Sequence, residues 1–326
     1  MIERMPVPAF FELTRRELAD LLGKAPKANI LFNKVYRQRH LTDGFTFELP
    51  TVVARFESSD GTRRYLLQLH DGETIESVQI PEAGRFTFCV SSQVGCALAC
   101  TFCLTGQLGL KRNLSAGEIV SQVVLLRGEI PSERFSVVLM GMGEPMQNYE
   151  NVMKAIEILT DDHGIALPLK RMTLSTAGLV PGIDRLGTER LFPNLSISLT
   201  GTTDALRDEL MPINKKYPIR DVVAAVQRLS PSRRKRVMFE YVMIKDLTDS
   251  LADAARLVAL LRDLGAKVNL IPLNPSVEIP YERPGDAAIL QFHKLLVQNG
   301  ITTFIRKNRG NDVSGACGQL KKTVGV

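Results

Sequence analysis

After a helical start, the first quarter of the chain contains short stretches in which hydrophobic and polar residues alternate. These stretches are 52–56, 65–69 and 74–80, and alternation with period two predicts strands with one buried face. Asp-Gly pairs at 60–61 and 71–72 separate them, and Asp-Gly is typical of tight hairpin turns. Ahead of the strands, Thr14 and Glu17 have the spacing of a capping box, which marks a helix start. We therefore predict a helical cap followed by a β meander over residues 1–83.

From residue 86 onward, short apolar runs alternate with segments of helical period. The apolar runs are 86–90, 136–140, 171–174, 195–199, 237–244, 267–271 and 302–305. The helices between them begin near residues 115, 149, 219, 250 and 285. Strand–helix alternation at this spacing predicts a parallel sheet. We expect an α/β fold over residues 84–326, as an incomplete (β/α)6-type barrel or an open doubly wound sheet, with its chemistry at the carboxyl ends of the strands.

The composition is that of an ordinary globular protein. Of the 326 residues, 44% are hydrophobic and 23% are charged, which excludes a disordered chain or a disulfide-dense secreted module. No apolar run approaches the roughly 18 residues that cross a bilayer. The N-terminus lacks the apolar core of a signal peptide, so we expect no membrane association and a cytoplasmic location. The net charge of +6 fits a polyanionic partner and fits a slightly basic enzyme equally well.

The five cysteines are unevenly placed. Cys89, Cys96, Cys100 and Cys103 lie within fifteen residues, and Cys317 lies alone near the C-terminus. An odd count with one isolated thiol is a poor disulfide framework. The C-x3-C-x2-C loop, which we place directly after the first barrel strand, offers three thiolates for an iron–sulfur cluster and leaves one iron open. The alternative is structural zinc with Cys89 as the fourth ligand.

This cysteine spacing, with Phe102 before the last thiol, resembles the signature of the radical S-adenosylmethionine (SAM) superfamily. Further motifs resemble one family, the RlmN/Cfr adenosine methyltransferases of RNA. These motifs occupy 88–96, 141–145, 174–178, 211–217, 270–275 and 309–320. The RlmN branch methylates carbon-2 of adenosine in large-subunit rRNA and in the tRNA anticodon loop, and the Cfr branch methylates carbon-8 of an rRNA adenosine. Residues 143–145 and 271–275 look more like the RlmN branch.

The resemblance gives every cysteine a role. It implies a [4Fe–4S] cluster on Cys96, Cys100 and Cys103, and two SAM molecules per turnover. Cys317 takes a methyl group from one SAM as a nucleophile. A 5′-deoxyadenosyl radical from the second SAM then activates this methyl group toward adenine. Cys89 is the resolving thiol, which forms a transient disulfide with Cys317 as product leaves.

The resemblance also makes Glu76 an active-site glutamate that accepts the ring proton. Periodicity alone favours the opposite reading, in which Glu76 is a solvent-facing residue on an alternating strand.

Short polar groups follow several predicted strands, where α/β folds build ligand sites. The resemblance implies that SAM is bound by Gly143, Glu144, Ser175, Ser198, Leu199, Thr200 and Asn274. Among these, Glu144 would hold the SAM amino group. Position 200 is threonine where the family motif Ser-Leu-His has histidine. From the residues alone, strand-end turn chemistry explains the same pattern.

The resemblance implies a methyltransferase acting on rRNA and possibly tRNA, with residues 1–83 handling RNA. It also implies a reducing partner such as flavodoxin or ferredoxin, and we expect a monomer. Basic clusters at 233–236 and 306–309 suit phosphate contacts, although a charge run is commonly a solvated face. Three alternatives stay open: methylation at carbon-8, radical chemistry on another substrate, and a zinc-stabilised RNA-binding module without enzymatic activity.

Overall fold

The computed structural model describes residues 7–130, 134–274 and 276–321. Pro275, the last residue of one family-like motif, lies outside these ranges. The strands are β1 (Thr51–Glu57), β2 (Arg63–Gln68), β3 (Thr74–Glu82), β4 (Arg85–Cys89), β5 (Gln93–Cys96), β6 (Gly109–Asn113), β7 (Phe135–Leu139), β8 (Met172–Thr176), β9 (Asn194–Ser198), β10 (Val237–Met243), β11 (Lys267–Pro272) and β12 (Thr303–Ile305). The helices are α1 (Arg15–Leu22), α2 (Ala25–Phe32), α3 (Leu104–Gln107), α4 (Ala116–Gly128), α5 (Tyr149–Thr160), α6 (Val180–Leu186), α7 (Asp204–Leu210), α8 (Ile219–Arg228), α9 (Pro231–Arg234), α10 (Leu251–Leu261) and α11 (Asp286–Gln298).

Ten of the strands form one sheet in the order β1-β2-β3-β4-β7-β8-β9-β10-β11-β12. Strands β1 to β4 pair antiparallel, whereas every pairing from β4 to β12 is parallel. Helical crossovers join the parallel strands, because parallel neighbours cannot be connected by a tight turn. This is the predicted incomplete barrel, with β12 at one edge of the sheet and β1 at the other.

The meander and the barrel share this sheet. The three meander strands are confirmed at the predicted places, and β3 pairs with β4 across the predicted boundary at residues 83 and 84, with Glu82 opposite Arg85. The meander therefore extends the barrel sheet by three antiparallel strands. The division into two domains stays a prediction.

The N-terminal helices pack against the outside of the barrel. The capping box of α1 is confirmed, because Thr14 accepts from the Glu17 backbone N–H while Glu17 accepts from that of Thr14. The ring of Phe10 is fully buried among the rings of Phe32 and Tyr36, with centroids 5.8 and 5.7 Å away. Arg15 also bonds Asp161 after α5, with Nε 2.9 Å from Oδ2. Among the described residues, no helix is both long and apolar enough to cross a bilayer.

Candidate active site

The cysteine motif lies on a hairpin that the sequence analysis missed. We predicted that the motif follows the first barrel strand directly, and this was wrong. Strand β5 comes between and pairs antiparallel with β6, so Cys96 ends a strand while Cys100 and Cys103 lie on the loop before α3. Four residues in β5 are too few to show a period.

Two glycines let this hairpin fold tightly. A Cβ on Gly95 would lie 1.9 Å from the carbonyl oxygen of Gly109, and φ of Gly95 is +83°. A Cβ on Gly106 would lie 3.0 Å from the backbone nitrogen of Cys100. Glycine is required at position 95, because any side chain there would overlap the opposite strand.

The three motif cysteines line one inner cavity of about 180 Å³ at the carboxyl ends of the barrel strands. Burial raises the pKa of Cys96 to about 12 and also raises the pKa values of Cys100 and Cys103, with the neighbouring thiols adding to each effect. Such thiols ionise only with a strong positive charge beside them, which a metal centre supplies.

The thiols suit a cluster better than a single ion. Within the described ranges, no three His, Cys, Asp or Glu side chains converge closely enough to hold one metal ion. A mononuclear zinc site would need four such ligands around one point. In an iron–sulfur cube each thiolate binds a different iron, so cysteines that share a cavity without converging fit that group.

Five of the seven predicted SAM contacts line this inner cavity: Gly143, Glu144, Ser175, Ser198 and Asn274. They come from the loops and ends of β7, β8, β9 and β11. The other two, Leu199 and Thr200, are fully buried and do not line the cavity. The Thr200 hydroxyl instead accepts from the Val242 backbone N–H at 3.5 Å.

Glu144 has a buried carboxylate held by backbone donors. It accepts from the N–H groups of Ala177 at 2.7 Å and Met146 at 2.9 Å. Burial raises its pKa to about 7 despite these bonds. A positively charged ligand group in the cavity would restore the ionised form. Gly143, with φ +103°, is needed here because a Cβ would lie 2.6 Å from the Gln93 side chain.

Asn274 links the inner cavity to the lone cysteine. Its amide nitrogen donates to the carbonyl oxygen of Cys317 at 3.0 Å. Its amide oxygen is buried and has no hydrogen-bond partner in the described structure. A buried acceptor without a partner is costly, and it faces a cavity where the amino group of a ligand such as SAM would satisfy it.

Cys317 lies where the inner cavity meets a wider outer cavity of about 460 Å³, and it lines both. The backbone next to Cys317 is hydrogen-bonded to the residues that directly follow the cysteine motif. The Leu104 N–H donates to the carbonyl oxygen of Gly318 at 2.8 Å, and the Thr105 hydroxyl donates to that of Leu320 at 2.7 Å. The structure therefore brings the isolated thiol to the cluster loop, more than two hundred residues away in the chain.

Cys89 lines the outer cavity beside Cys317. Burial, and the nearby Cys317, raise the pKa of Cys89 to about 12, so this thiol stays protonated at rest. Both thiols are free in the structure.

The outer cavity is basic. Its described wall carries the cations Arg85, Arg306, Lys307 and Arg309 and one acid, Glu82. The charge of Cys317 is the main cause that raises the pKa of Arg306, which lines both cavities. A cavity of this sign attracts phosphate groups.

Glu76 does not line either cavity. Its side chain is fully buried, forms an ion pair with Arg64, and accepts from the Lys321 backbone N–H at 3.1 Å. It is not the solvent-facing strand residue that periodicity favoured.

Arg207 and Glu240 are two of the buried charged residues that the sequence did not single out, and both lie close to the inner cavity. Arg207 donates to the carbonyl oxygens of Leu199 at 2.8 Å and Ala177 at 2.6 Å, and burial lowers its pKa to about 10. It thereby fixes the ends of β8 and β9 beside Cys100. Glu240, on the inner-cavity wall, accepts from Ser196. A charged residue inside an apolar strand was the available signal for Glu240, and none marked Arg207.

Comparisons with known proteins agree with this geometry. The family model of the radical SAM superfamily matches residues 90–258. The chain is 49% identical over 262 residues to the dual-specificity RNA methyltransferase RlmN of Pelobacter propionicus, covering 80% of this chain and 75% of that one. It is 42% identical to the dual-specificity RNA methyltransferase RlmN of Nitratiruptor sp., covering 95% of this chain and 97% of that one.

A solved structure is similar over nearly the whole chain. The crystal structure of a radical SAM methyltransferase from Sphaerobacter thermophilus has a TM-score of 0.92 and 40% identity, covering 97% of this chain and all of that one. These findings confirm the predicted fold class and the resemblance on which the site residues were chosen.

Proposed function

The chain belongs to the RlmN family of radical SAM RNA methyltransferases, and on that premise we propose that it methylates carbon-2 of an adenosine in 23S rRNA and in tRNA through an S-methylcysteine intermediate. The observation that carries the proposal is the place of Cys317. Its loop is bonded to the cysteine motif, and it lines both the inner cavity and the basic outer cavity.

Radical SAM enzymes use a [4Fe–4S] cluster and SAM, and we propose that Cys96, Cys100 and Cys103 hold the cluster. When bound, the cluster supplies the electron that cleaves SAM to a 5′-deoxyadenosyl radical. The buried carboxylate of Glu144 and the unpartnered amide oxygen of Asn274 are the groups of this chain that would hold the SAM amino group. Two SAM molecules would be used per turnover, one as methyl donor and one as radical source.

Cys317 would carry the methyl group as a thioether and then, through that carbon, a covalent bond to adenine. Its position at the cavity junction would let one sulfur serve both ligand sites without a large movement. Cys89 would release the product. Its sulfur would bond to that of Cys317 while the carbon–sulfur bond of the adduct breaks. The electron pair of that bond would pass to the methylene carbon, and the proton lost from the Cys89 thiol would balance the proton that this carbon takes up to become the methyl group.

Glu76 as proton acceptor stays a prediction. Its carboxylate lies outside both cavities and is already bonded by Arg64 and the Lys321 backbone.

The outer cavity would bind the RNA backbone around the target adenosine through Arg306, Lys307 and Arg309. Phosphate contacts of this kind make binding weaken as salt rises. An acidic one-electron donor such as a flavodoxin or ferredoxin would reduce the cluster, and we propose a monomer that works in the cytoplasm with its RNA substrates.

The test is an anaerobic assay of the reconstituted protein with labelled SAM and either 23S rRNA or tRNA. Nucleosides from the digested RNA are compared with 2-methyladenosine and 8-methyladenosine standards. We expect 2-methyladenosine from both RNAs. Formation of 8-methyladenosine would support the alternative reaction at carbon-8. Absence of methylated adenosine from both RNAs would contradict the proposal that RNA is the substrate.

The cysteine roles are tested by two variants in the same assay. C317A should form no methylated adenosine while keeping its iron and sulfide. C89A should accumulate a covalent protein–RNA adduct, because the resolving thiol is absent. Turnover by C317A would contradict the intermediate.

A further inference from the structure

One buried ion pair holds the loop that carries Cys317 on both sides of the cysteine. Arg64 on β2 and Glu76 on β3 are diagonal neighbours in the antiparallel register, since Leu66 lies opposite Glu76 and Arg64 opposite Val78. Diagonal positions on one sheet face are within reach of long side chains. Both side chains are fully buried and form an ion pair.

Each partner also bonds the backbone of the Cys317 loop. Arg64 Nε donates to the carbonyl oxygen of Val313 at 2.6 Å. The backbone N–H of Lys321 donates to Glu76 Oε2 at 3.1 Å. Val313 lies four residues before Cys317 and Lys321 four residues after it, so the pair spans the loop symmetrically around the thiol.

The loop needs such support because its own backbone is irregular. Gly310, Ser314 and Gly318 all have φ between +51° and +82°. From residue 306 to residue 321, where the described chain ends, the one regular element is a three-residue 3-10 turn at Asn311–Val313. Chain segments rich in glycine lose much conformational freedom when they are ordered. Contacts from outside must therefore fix the position of the sulfur.

Other contacts hold the loop from the cluster side, and at its start Asp312 is also bonded by the Ser58 hydroxyl and the Ser59 backbone N–H of the meander. Leu104 bonds Gly318, Thr105 bonds Leu320 and Asn274 bonds Cys317 itself. Arg64 and Glu76 contact the loop from the opposite side, which is the meander. Two charges are costly to bury there unless each is bonded. The loop is thus held between the cysteine motif and the meander.

We propose that Arg64, paired with Glu76, is a positioning residue that clamps residues 313–321 and thereby sets the Cys317 sulfur at the junction of the two cavities. This rests on the proposed function of Cys317 as methyl carrier. It also gives the β meander a task in the reaction, as the fixed wall against which the methyl-carrying loop is held.

The test uses the reconstituted full chain and three variants: R64M, the double variant R64M/E76Q, and the control R63M. The single variant leaves Glu76 buried without its cation, which threatens folding. The double variant removes both charges and keeps an acceptor for the Lys321 N–H. Arg63, the next residue along β2, pairs with Glu57 at the surface and does not touch the loop.

Three measurements are made on each protein. Hydrogen exchange reports the protection of residues 313–321. Mass spectrometry reports the fraction of Cys317 that carries a methyl group after incubation with SAM and reductant. The yield of 5′-deoxyadenosine reports radical formation, which needs the cluster and SAM and does not need the loop.

In R64M/E76Q we expect loop protection to fall at least about tenfold and Cys317 methylation to fall about 100-fold. Iron content and 5′-deoxyadenosine yield should match wild type, and R63M should match wild type throughout. R64M should reproduce the loss of methylation although it keeps Glu76.

Unchanged loop exchange with unchanged methylation would overturn the clamp. So would a parallel loss of iron, radical yield and methylation, which is general damage. Full Cys317 methylation in the double variant would also overturn the clamp, and loss of methylated RNA in the assay described above would then assign Glu76 to proton transfer. Failure of the proposed function gives a different result from failure of the clamp. If the proposed function is wrong, C317A still methylates RNA, and hydrogen exchange of the loop in the Arg64 variants still tests the clamp.

Discussion

The two loops that meet at the site are held in place by different means. The cluster hairpin, β5 to β6, has its tightest contacts with neighbours in the chain, although its tip also bonds the distant residues Leu210 and Gly318. Its strands pair with each other, and its tight points join residues within about fifteen positions, Gly95 with Gly109 and Gly106 with Cys100. The Cys317 loop is fixed by partners about 250 positions away, such as Ser58 with Asp312 and Arg64 with Val313.

This difference follows the two tasks. A cluster site must hold several ligands rigidly before any substrate arrives, and local hydrogen bonds achieve this at little cost in loop-closure entropy. A methyl-carrying thiol must be placed between two ligand sites, and only contacts from distant elements can set that position. Damage to the hairpin should therefore remove the cluster, and damage to the loop contacts should spare the cluster and misplace the thiol.

The largest expected effect is in the hairpin. In G95A the added Cβ would lie 1.9 Å from the Gly109 oxygen, so the strands must separate, and we expect roughly tenfold less iron after reconstitution. Iron and sulfide analysis measures this. G109A is the matched control, because Gly109 has a similar φ of +67° with nothing within 4 Å of its Cβ. Equal iron in the two variants would contradict the account of the hairpin.

A separate effect, on folding stability and not on iron content, is expected from Glu144 on the cavity wall between the loops. Its pKa is raised from 4.5 to about 7 by burial, so the folded state binds a proton more tightly than the unfolded state. Its stabilising effect is fully present below pH 4.5 and is lost as pH rises through 7, on the order of 3 kcal/mol in cluster-free protein. The glutamine of E144Q cannot ionise, so this variant should not lose that stability as the pH rises.

Urea unfolding of cluster-free wild type and E144Q at pH 5 and pH 8 measures the difference. E150Q is the control, since the pKa of exposed Glu150 is lowered by Arg185. A wild-type protein that loses no stability relative to E144Q between these pH values would show that Glu144 is not buried as a protonated acid.

The smallest effect is at the start of the Cys317 loop. Asp312 accepts from the Ser58 hydroxyl at 2.5 Å and from the Ser59 backbone N–H at 3.0 Å. D312N keeps only one acceptor oxygen, so we expect hydrogen exchange at residues 310–314 to rise by about threefold with the cluster hairpin unchanged. D286N, in an exposed pair with Arg283, is the control. Faster hydrogen exchange in the cluster hairpin of D312N would contradict the prediction, because it would show that the two loops are not held independently.

Local signals in the sequence were read correctly wherever the stabilising partners are close in the chain. The capping box of Thr14 and Glu17 starts α1 as its spacing indicates, and the alternating strands of the meander lie as predicted. The hairpin strand β5 was missed because it has only four residues, and the burial of Glu76 was missed because its cation lies on another strand. Leu199 and Thr200 come directly after β9, yet both side chains are buried in protein and lie off the cavity wall.

Residue types and their spacing specify which reactive groups this protein has. Three thiols at C-x3-C-x2-C spacing, a lone thiol near the C-terminus and the family motifs can be recognised in the sequence, because spacing and residue type act over a few positions. The place where those groups meet depends on the fold. The fold puts Cys317 at the junction of two cavities, raises the pKa of Glu144 by burying it, and sets the Arg64–Glu76 pair against the loop from the meander, because these results depend on desolvation and on contacts between strands far apart in the chain.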